Sequence, residues 1–236
     1  MKLTKAIESK RNSHNILWRF LVYTKDTLWK IINNHNSNYI ISFVGGLIYK
    51  KQFKNLKTYC MFVGYPRSGH SLIGSILDAH PNMIISHELN TLKYLERGFK
   101  KYQIYYSIIR NSRNFNKINR THTGYNYFVN NQWHGNFSKL TVIGDKLGCG
   151  TLYWIKERPW VINKFFKINA NLKIKFIHVI RNPYDNITTM AKRENIPLAE
   201  ATDWYFYLVD VIESIKKQKN KYKLNTPAER IFKMDI

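Results

Sequence analysis

Acid is scarce in this sequence. Its 236 residues carry 15 Asp and Glu against 38 Lys and Arg, a formal net charge of +23. Such an excess draws polyanions, anionic membranes or anionic small molecules. Nucleic acid is the first candidate, but the Lys residues are spread along the whole chain. Compositional drift plus one anionic ligand accounts better for that spread than a dedicated nucleic-acid function, and no specific nucleic-acid partner is expected. Cysteine is nearly absent. Cys60 and Cys149 make neither a disulfide framework nor a metal site. Both sit in or beside apolar runs and read as buried free thiols. Long hydrophobic runs are lacking too. The best candidate, Tyr39 to Tyr49, falls far short of the roughly 20 residues that cross a bilayer. No signal peptide, internal repeat or low-complexity linker is evident, and a cytoplasmic location is expected.

What is present is ordinary in bulk and specific in detail. Hydrophobic residues make up 44% and charged residues 22%, enough for one domain with a real core. Residues 1–56 read as a helical N-terminal extension. Its stripe of Leu17, Phe20, Leu21, Leu28 and Ile31 suits packing on the domain, with membrane contact as the alternative. Residues 57–236 alternate short apolar strands with helices. "TYCMFVG", "NMIIS", "LTVIGD", "KIKFIHVIR" and "RIFKMDI" are the strands. "SLIGSILDAHP", "LNTLKYLERGFKKYQIYYSIIR", "NPYDNITTMAKR" and "LAEATDWYFYLVDVIESIKKQ" are the helices. Residues 111–138, polar, aromatic and basic, read as a long irregular region near a site. The pattern predicts an α/β fold with a central, mostly parallel sheet and ligands at the C-terminal ends of the strands.

Two motifs begin at such ends. "GYPRSGHS", Gly64 to Ser71, has the spacing of a phosphate loop, G-x-x-x-x-G-K-S/T, with His70 where that loop has Lys. Backbone N–H groups of such a turn converge on an anion, and Arg67 supplies fixed charge. "RNPYDNITT" places Arg181 at a strand end and Thr189 two turns along the next helix. A guanidinium forks onto phosphate, and the Thr189 hydroxyl meets the same group. Two anion clamps at adjacent strand ends suit a nucleotide with phosphates at both ends of its ribose.

In these two motifs the sequence resembles the PAPS-dependent sulfotransferases (PAPS is 3′-phosphoadenosine 5′-phosphosulfate). "YPRSGHSL" is similar to the family's phosphosulfate loop, P-K/R-S-G-T-S/T, with His70 for the usual Thr. "RNPYDNITT" is similar to its 3′-phosphate motif, R-x-P-x-D-x-x-x-S/T, with Arg181, Asp185 and Thr189 in place. The resemblance runs from about Thr58 onward. It implies a P-loop-NTPase-like three-layer domain, PAPS as donor with PAP as product, and no metal. Arg67, Ser68, Gly69, His70, Ser71, Arg181 and Thr189 would bind the donor.

"PRSG…LDAHP…HE" is similar to the tyrosylprotein branch of that family, whose catalytic Glu falls on Glu88. Glu88 is then the general base, with Arg67 and Lys146 at the transferring group. His87, His122 and His134 remain alternative bases, because the cytosolic branch uses a His. The acceptor is a hydroxyl on a carbohydrate, a tyrosine or a small alcohol. Three departures stand out. His70 replaces a small hydroxyl residue. The adenine-stacking aromatic after the loop is replaced by Leu72. The C-terminal basic loop is missing, as expected if the chain lacks its C-terminal end. Two rival readings are a P-loop kinase with Asp145 as Mg²⁺ ligand, and a non-catalytic polyanion-binding module built on residues 97–139. A glycosylation sequon at Asn186, inside the 3′-phosphate helix, fits poorly with a lumenal enzyme.

Overall fold

The computed structural model describes residues 35–217 and 232–235, so the stripe from Leu17 to Ile31 lies outside the described residues. The chain divides into two units, 1–44 and 45–236. Helix α1 (His35–Ile48) begins in the first unit, where Ser42 Oγ donates to the Tyr39 carbonyl. Among the described residues no helix is long and apolar enough to cross a membrane.

The second unit is α/β. Strands β1 (Thr58–Val63), β2 (Met83–His87), β5 (Val142–Lys146), β6 (Lys173–Ile180) and β7 (Phe232–Asp235) form a sheet in the order β2-β5-β1-β6-β7. Every pairing in it is parallel. The strands are apolar on both faces because both faces are covered. On one face α3 (His70–Asp78) sets Ile73 and Leu77 against Cys60, Phe62, Ile85, Ile177 and Val179. On the other, Tyr59 meets Phe165 of α7 (Pro159–Ile168) and Tyr105 of α5 (Lys101–Lys117). Helices on both faces of a parallel sheet make three layers. The short α2 (Lys50–Phe53) precedes β1, and α4 (Thr91–Glu96) follows β2.

Several elements differ from the sequence expectation. The single helix expected from Leu89 is two, α4 and α5, because Gly98 adopts φ 86° and turns the chain between them. Helix α5 then runs on to Lys117, into the stretch expected to be irregular, because Ser112 and Phe115 are buried there. The rest of that stretch includes a hairpin, β3 (Thr121–His122) and β4 (Tyr125–Asn126). Its two loop residues, Thr123 and Gly124, both have positive φ, as tight hairpin turns require. Between β5 and β6 lie α6 (Cys149–Glu157) and α7. Helix α8 (Pro183–Glu194) follows β6, capped by the Asn182 side chain accepting from Tyr184 N–H. Helix α9 (Leu198–Lys217) buries Ala201, Tyr205, Leu208, Val211 and Ile212, while Leu198 at its start is exposed.

Candidate active site

Four parallel strands end on one edge of the sheet, and each delivers a functional group there. β1 runs into the Gly64–Ser71 turn, β2 into Glu88, β5 ends on Lys146, and β6 runs into Arg181. A cleft of about 570 Å³ opens at this edge, and its wall includes Arg67 to Ser71, Glu88, Arg181 and Thr189. The two motifs are joined directly. The buried Asn186, within "RNPYDN", donates through Nδ2 to the Pro66 carbonyl at 2.8 Å. Its burial also closes the sequon at Asn186 to any glycan in the folded chain.

The turn after β1 holds Arg67 at φ 63° and Gly69 at φ 91°. Left-handed residues in such a turn bend successive N–H groups toward one point, and α3 begins there with Gly69 as its N-cap. Arg67 is a non-glycine residue in a strained conformation, a feature that clusters at ligand sites. Its Nη2 donates to Glu194 Oε1 at 2.8 Å, a partner on the last turn of α8.

His70, which the sequence left without an account, is the first residue of α3. Its Nδ1 lies 3.2 Å from Ser68 Oγ. The ring also packs under Gly148, where an added Cβ would stand 3.0 Å from its Cε1. Burial lowers its pKa to about 3, and the nearby Lys146 charge pushes the same way. His70 is therefore a neutral spacer between the turn and the start of α6.

Lys146 lies almost wholly buried, at 1% exposure, yet it reaches the cleft residues. Gly74 of α3 lets its stem pass, since a Cβ there would stand 3.1 Å from Lys146 Cγ. Its Nζ donates to Ser71 Oγ at 3.0 Å and to Glu88 Oε1 at 2.8 Å. The neighbouring strand thus brings an ammonium to Ser71, the residue after His70. Burial lowers the Lys146 pKa despite the Glu88 carboxylate, which acts to raise it.

Glu88 has φ 56°, while its N–H still donates to the Lys146 carbonyl at 2.8 Å. Partial burial would raise its pKa, but the Lys146 charge and hydrogen bond outweigh that and hold it below the usual value. Its carboxylate is ionised and faces the cleft.

The three alternative histidines separate. His122, on the hairpin, brings Nε2 to 3.7 Å from Glu88 Oε1 and lines the cleft. His87 stacks on Phe115, with centroids 4.0 Å apart, and burial lowers its pKa to about 2. His134 is buried and fixes a loop, its Nε2 accepting from Val129 N–H at 2.9 Å. It is not part of the cleft wall.

Other charged groups belong to the frame. Asp145 is buried and accepts from Ser86 Oγ, Leu89 N–H and Thr91 N–H, closing the turn into α4. That use removes it as an Mg²⁺ ligand. Asp78 pairs with the buried Arg120 at 2.9 Å and also accepts from Ser112 Oγ and Ile85 N–H. His87, Glu88 and His122 hold one metal-ligating atom each within 4.8 Å of one another. A divalent ion there would compete with Lys146 for Glu88 and would feel the Lys146 charge.

Sequence reasoning missed several cleft residues. Tyr125 and Tyr127 come from the hairpin, Trp204 from α9, and Arg193 and Glu194 from the end of α8. Cys149, expected to be a buried thiol, is half-buried and also lines the cleft. The spacing of Arg193, one turn beyond Thr189 on the same helix face, was the available signal. No family model and no curated protein matches the chain.

Proposed function

We propose that the chain is a PAPS-dependent sulfotransferase with a P-loop-like domain, transferring a sulfuryl group to a hydroxyl acceptor by in-line displacement. One observation carries the reading. Arg67, Ser71, Glu88, Lys146, Arg181 and Thr189, singled out from separate motifs, lie around one cleft at the C-terminal edge of a parallel sheet. A kinase reading loses its Mg²⁺ ligand, because Asp145 is consumed within the frame.

In this proposal the Arg67–Ser71 turn cradles the 5′-phosphosulfate, and Arg181 with Thr189 holds the 3′-phosphate. Arg67 and Lys146 stabilise charge as it moves onto the leaving phosphate. Glu88 takes the acceptor proton. Lys146 couples the two events, because it bonds both Ser71 in the cradle and Glu88. A donor drawing Lys146 toward the cradle weakens its hold on Glu88 and raises the basicity of that carboxylate. The chemistry asks for no metal. The acceptor is a hydroxyl on a carbohydrate, a tyrosine or a small alcohol.

The test is thermal stabilisation of the chain by PAP against ATP with Mg²⁺. PAP at a hundredfold excess over its Kd is expected to stabilise the fold by about 2.7 kcal/mol, and ATP with Mg²⁺ far less. Folded protein that does not respond to PAP would overturn the donor site.

A further inference from the structure

Among the described residues the cleft wall holds two carboxylates, Glu88 and Glu194, against Arg67, Arg181 and Arg193. Lys146 takes Glu88. Glu194 stands where an anion is poorly placed. It is the last residue of α8, and Asn195 turns the chain out of that helix at φ 54°. A helix C-terminus carries partial negative charge, which favours Lys192 and Arg193 in that turn and opposes a carboxylate. What holds Glu194 there is Arg67, whose Nη2 donates to its Oε1 at 2.8 Å.

The fold does not depend on this pair to bring α8 to the turn. Asn186 on the same helix is buried, and its Nδ2 already bonds the Pro66 carbonyl, one residue before Arg67, at 2.8 Å. At the far end Arg193 Nη2 donates to the Tyr125 hydroxyl at 2.9 Å, and its guanidinium lies 5.2 Å from the Tyr125 ring centroid. Helix α8 is therefore tied on either side of the Arg67–Glu194 contact by bonds that do not use it. The pair itself is partly solvated, its side chains 25% and 39% exposed. Such a pair is weak enough for an incoming anion to break.

We propose that Glu194 is a specificity-determining residue, an internal counter-anion that competes with the 5′ end of the donor for the Arg67 guanidinium. This rests on the sulfotransferase reading above. A carboxylate carries a single negative charge, whereas a phosphosulfate carries one on phosphorus and one on sulfur. The more highly charged group takes the guanidinium, and the Glu194 side chain swings away while its backbone stays anchored through Arg193. A ligand that needs Arg67 binds only the fraction of molecules in which Arg67 is released, and its apparent affinity falls by that fraction. Weakly charged anions are thereby kept out of the cradle. A nucleotide whose only phosphate is the 3′ one meets no such competition.

The experiment titrates PAP and adenosine 3′-monophosphate calorimetrically into the full chain and into Glu194→Gln. Gln keeps the size of the side chain and an oxygen that accepts from Arg67, and it removes the charge. PAP is expected to bind the variant about two- to fivefold more tightly than wild type. Adenosine 3′-monophosphate is expected to bind both proteins alike, to within about 1.5-fold. PAP binding that is unchanged or weaker in Glu194→Gln overturns the proposal with the donor site intact, because Glu194 would then only hold Arg67 in place. Equal tightening of both nucleotides also overturns it, since Glu194 would then act on the whole cleft through its field. Absence of PAP binding to both proteins, each shown to be folded, overturns the sulfotransferase reading and this proposal with it.

Discussion

Lys146 Nζ stands 2.8 Å from Glu88 Oε1, and the two partners share burial unequally. Lys146 is 1% exposed and Glu88 38%. The pair lowers the Glu88 pKa, whereas the Lys146 pKa is also lowered because burial outweighs the same pair. The ammonium bears the desolvation cost, and the carboxylate gains from the contact. Removing either partner should therefore have different consequences.

Glu88→Gln strands a buried ammonium with Ser71 as its remaining partner. It should cost about 1–3 kcal/mol of stability, below the full cost of breaking a wholly buried pair because Glu88 is partly solvated. Lys146→Met removes the buried charge, keeps the stem and leaves Glu88 facing solvent. It should cost less, under about 1.5 kcal/mol. Urea unfolding of the two variants checks the order. A larger loss for Lys146→Met would mean that its charge stabilises the fold.

Acid should destabilise the protein before its carboxylates titrate. Burial lowers the pKa of His70 to about 3 and that of His87 to about 2. The unfolded chain takes up these protons near pH 6.5 and the folded chain does not, so stability falls as pH drops below that value. Each group contributes up to about 1.4 kcal/mol per pH unit. The depressed Glu88 adds its own loss only below its ordinary pKa of 4.5. Asp78 and Asp145, raised by burial, act in the opposite sense and equally in wild type and variant. Because burial lowers the His134 pKa as well, unfolding free energies at pH 7.5 and 5.5 (roughly one unit either side of the ordinary His value) should converge in His87→Phe by about a third to a half relative to wild type. An unchanged difference would mean that His87 protonates freely in the fold.

How much of this was legible in the sequence follows from the range of the forces involved. The strands were readable because burial on both faces leaves unbroken apolar runs such as "TYCMFV". The Gly64–Ser71 turn was readable because its spacing sits between such a strand and a helix. Helix α5 was cut short because Ser112, Arg113 and Asn116 look like solvent residues in isolation. They are polar because they bond Asp78, Gly135 and His134, partners distant in sequence. The hairpin was missed although Thr123–Gly124 carries a local turn signal. His70 could not be understood from its neighbours at all. Its seat is Gly148, on another strand's connection.

That seat gives a coupled prediction. Gly148 has φ 65°, and a Cβ there would stand 3.0 Å from the His70 ring. Gly148→Ala should cost about 1–3 kcal/mol, combining left-handed strain with the clash. His70→Thr removes the ring. In the double variant the clash disappears while the strain persists, so the two changes should together cost less than their sum by at least about 0.5 kcal/mol. Strict additivity in thermal unfolding would place the His70 ring elsewhere.

Arg181 offers the sharpest test of ligand identity, because it separates one phosphate from another. It follows the last residue of β6 and lines the cleft, as do Thr189 and the Arg67–Ser71 turn. Thr189 Oγ1 donates to the Asp185 carbonyl at 2.6 Å, so its hydroxyl must turn from that bond before it can donate to a phosphate. On the proposed function the guanidinium therefore supplies most of the 3′-phosphate affinity, through charge-assisted hydrogen bonds of about 1.5–3 kcal/mol. Arg181→Ala should weaken PAP binding by about 10- to 150-fold. AMP, which lacks the 3′-phosphate, should bind wild type and variant alike to within about twofold. Calorimetric titration of both ligands on both proteins gives the double difference. A parallel loss for AMP would mean that Arg181 serves the cradle or the fold instead of the 3′-phosphate.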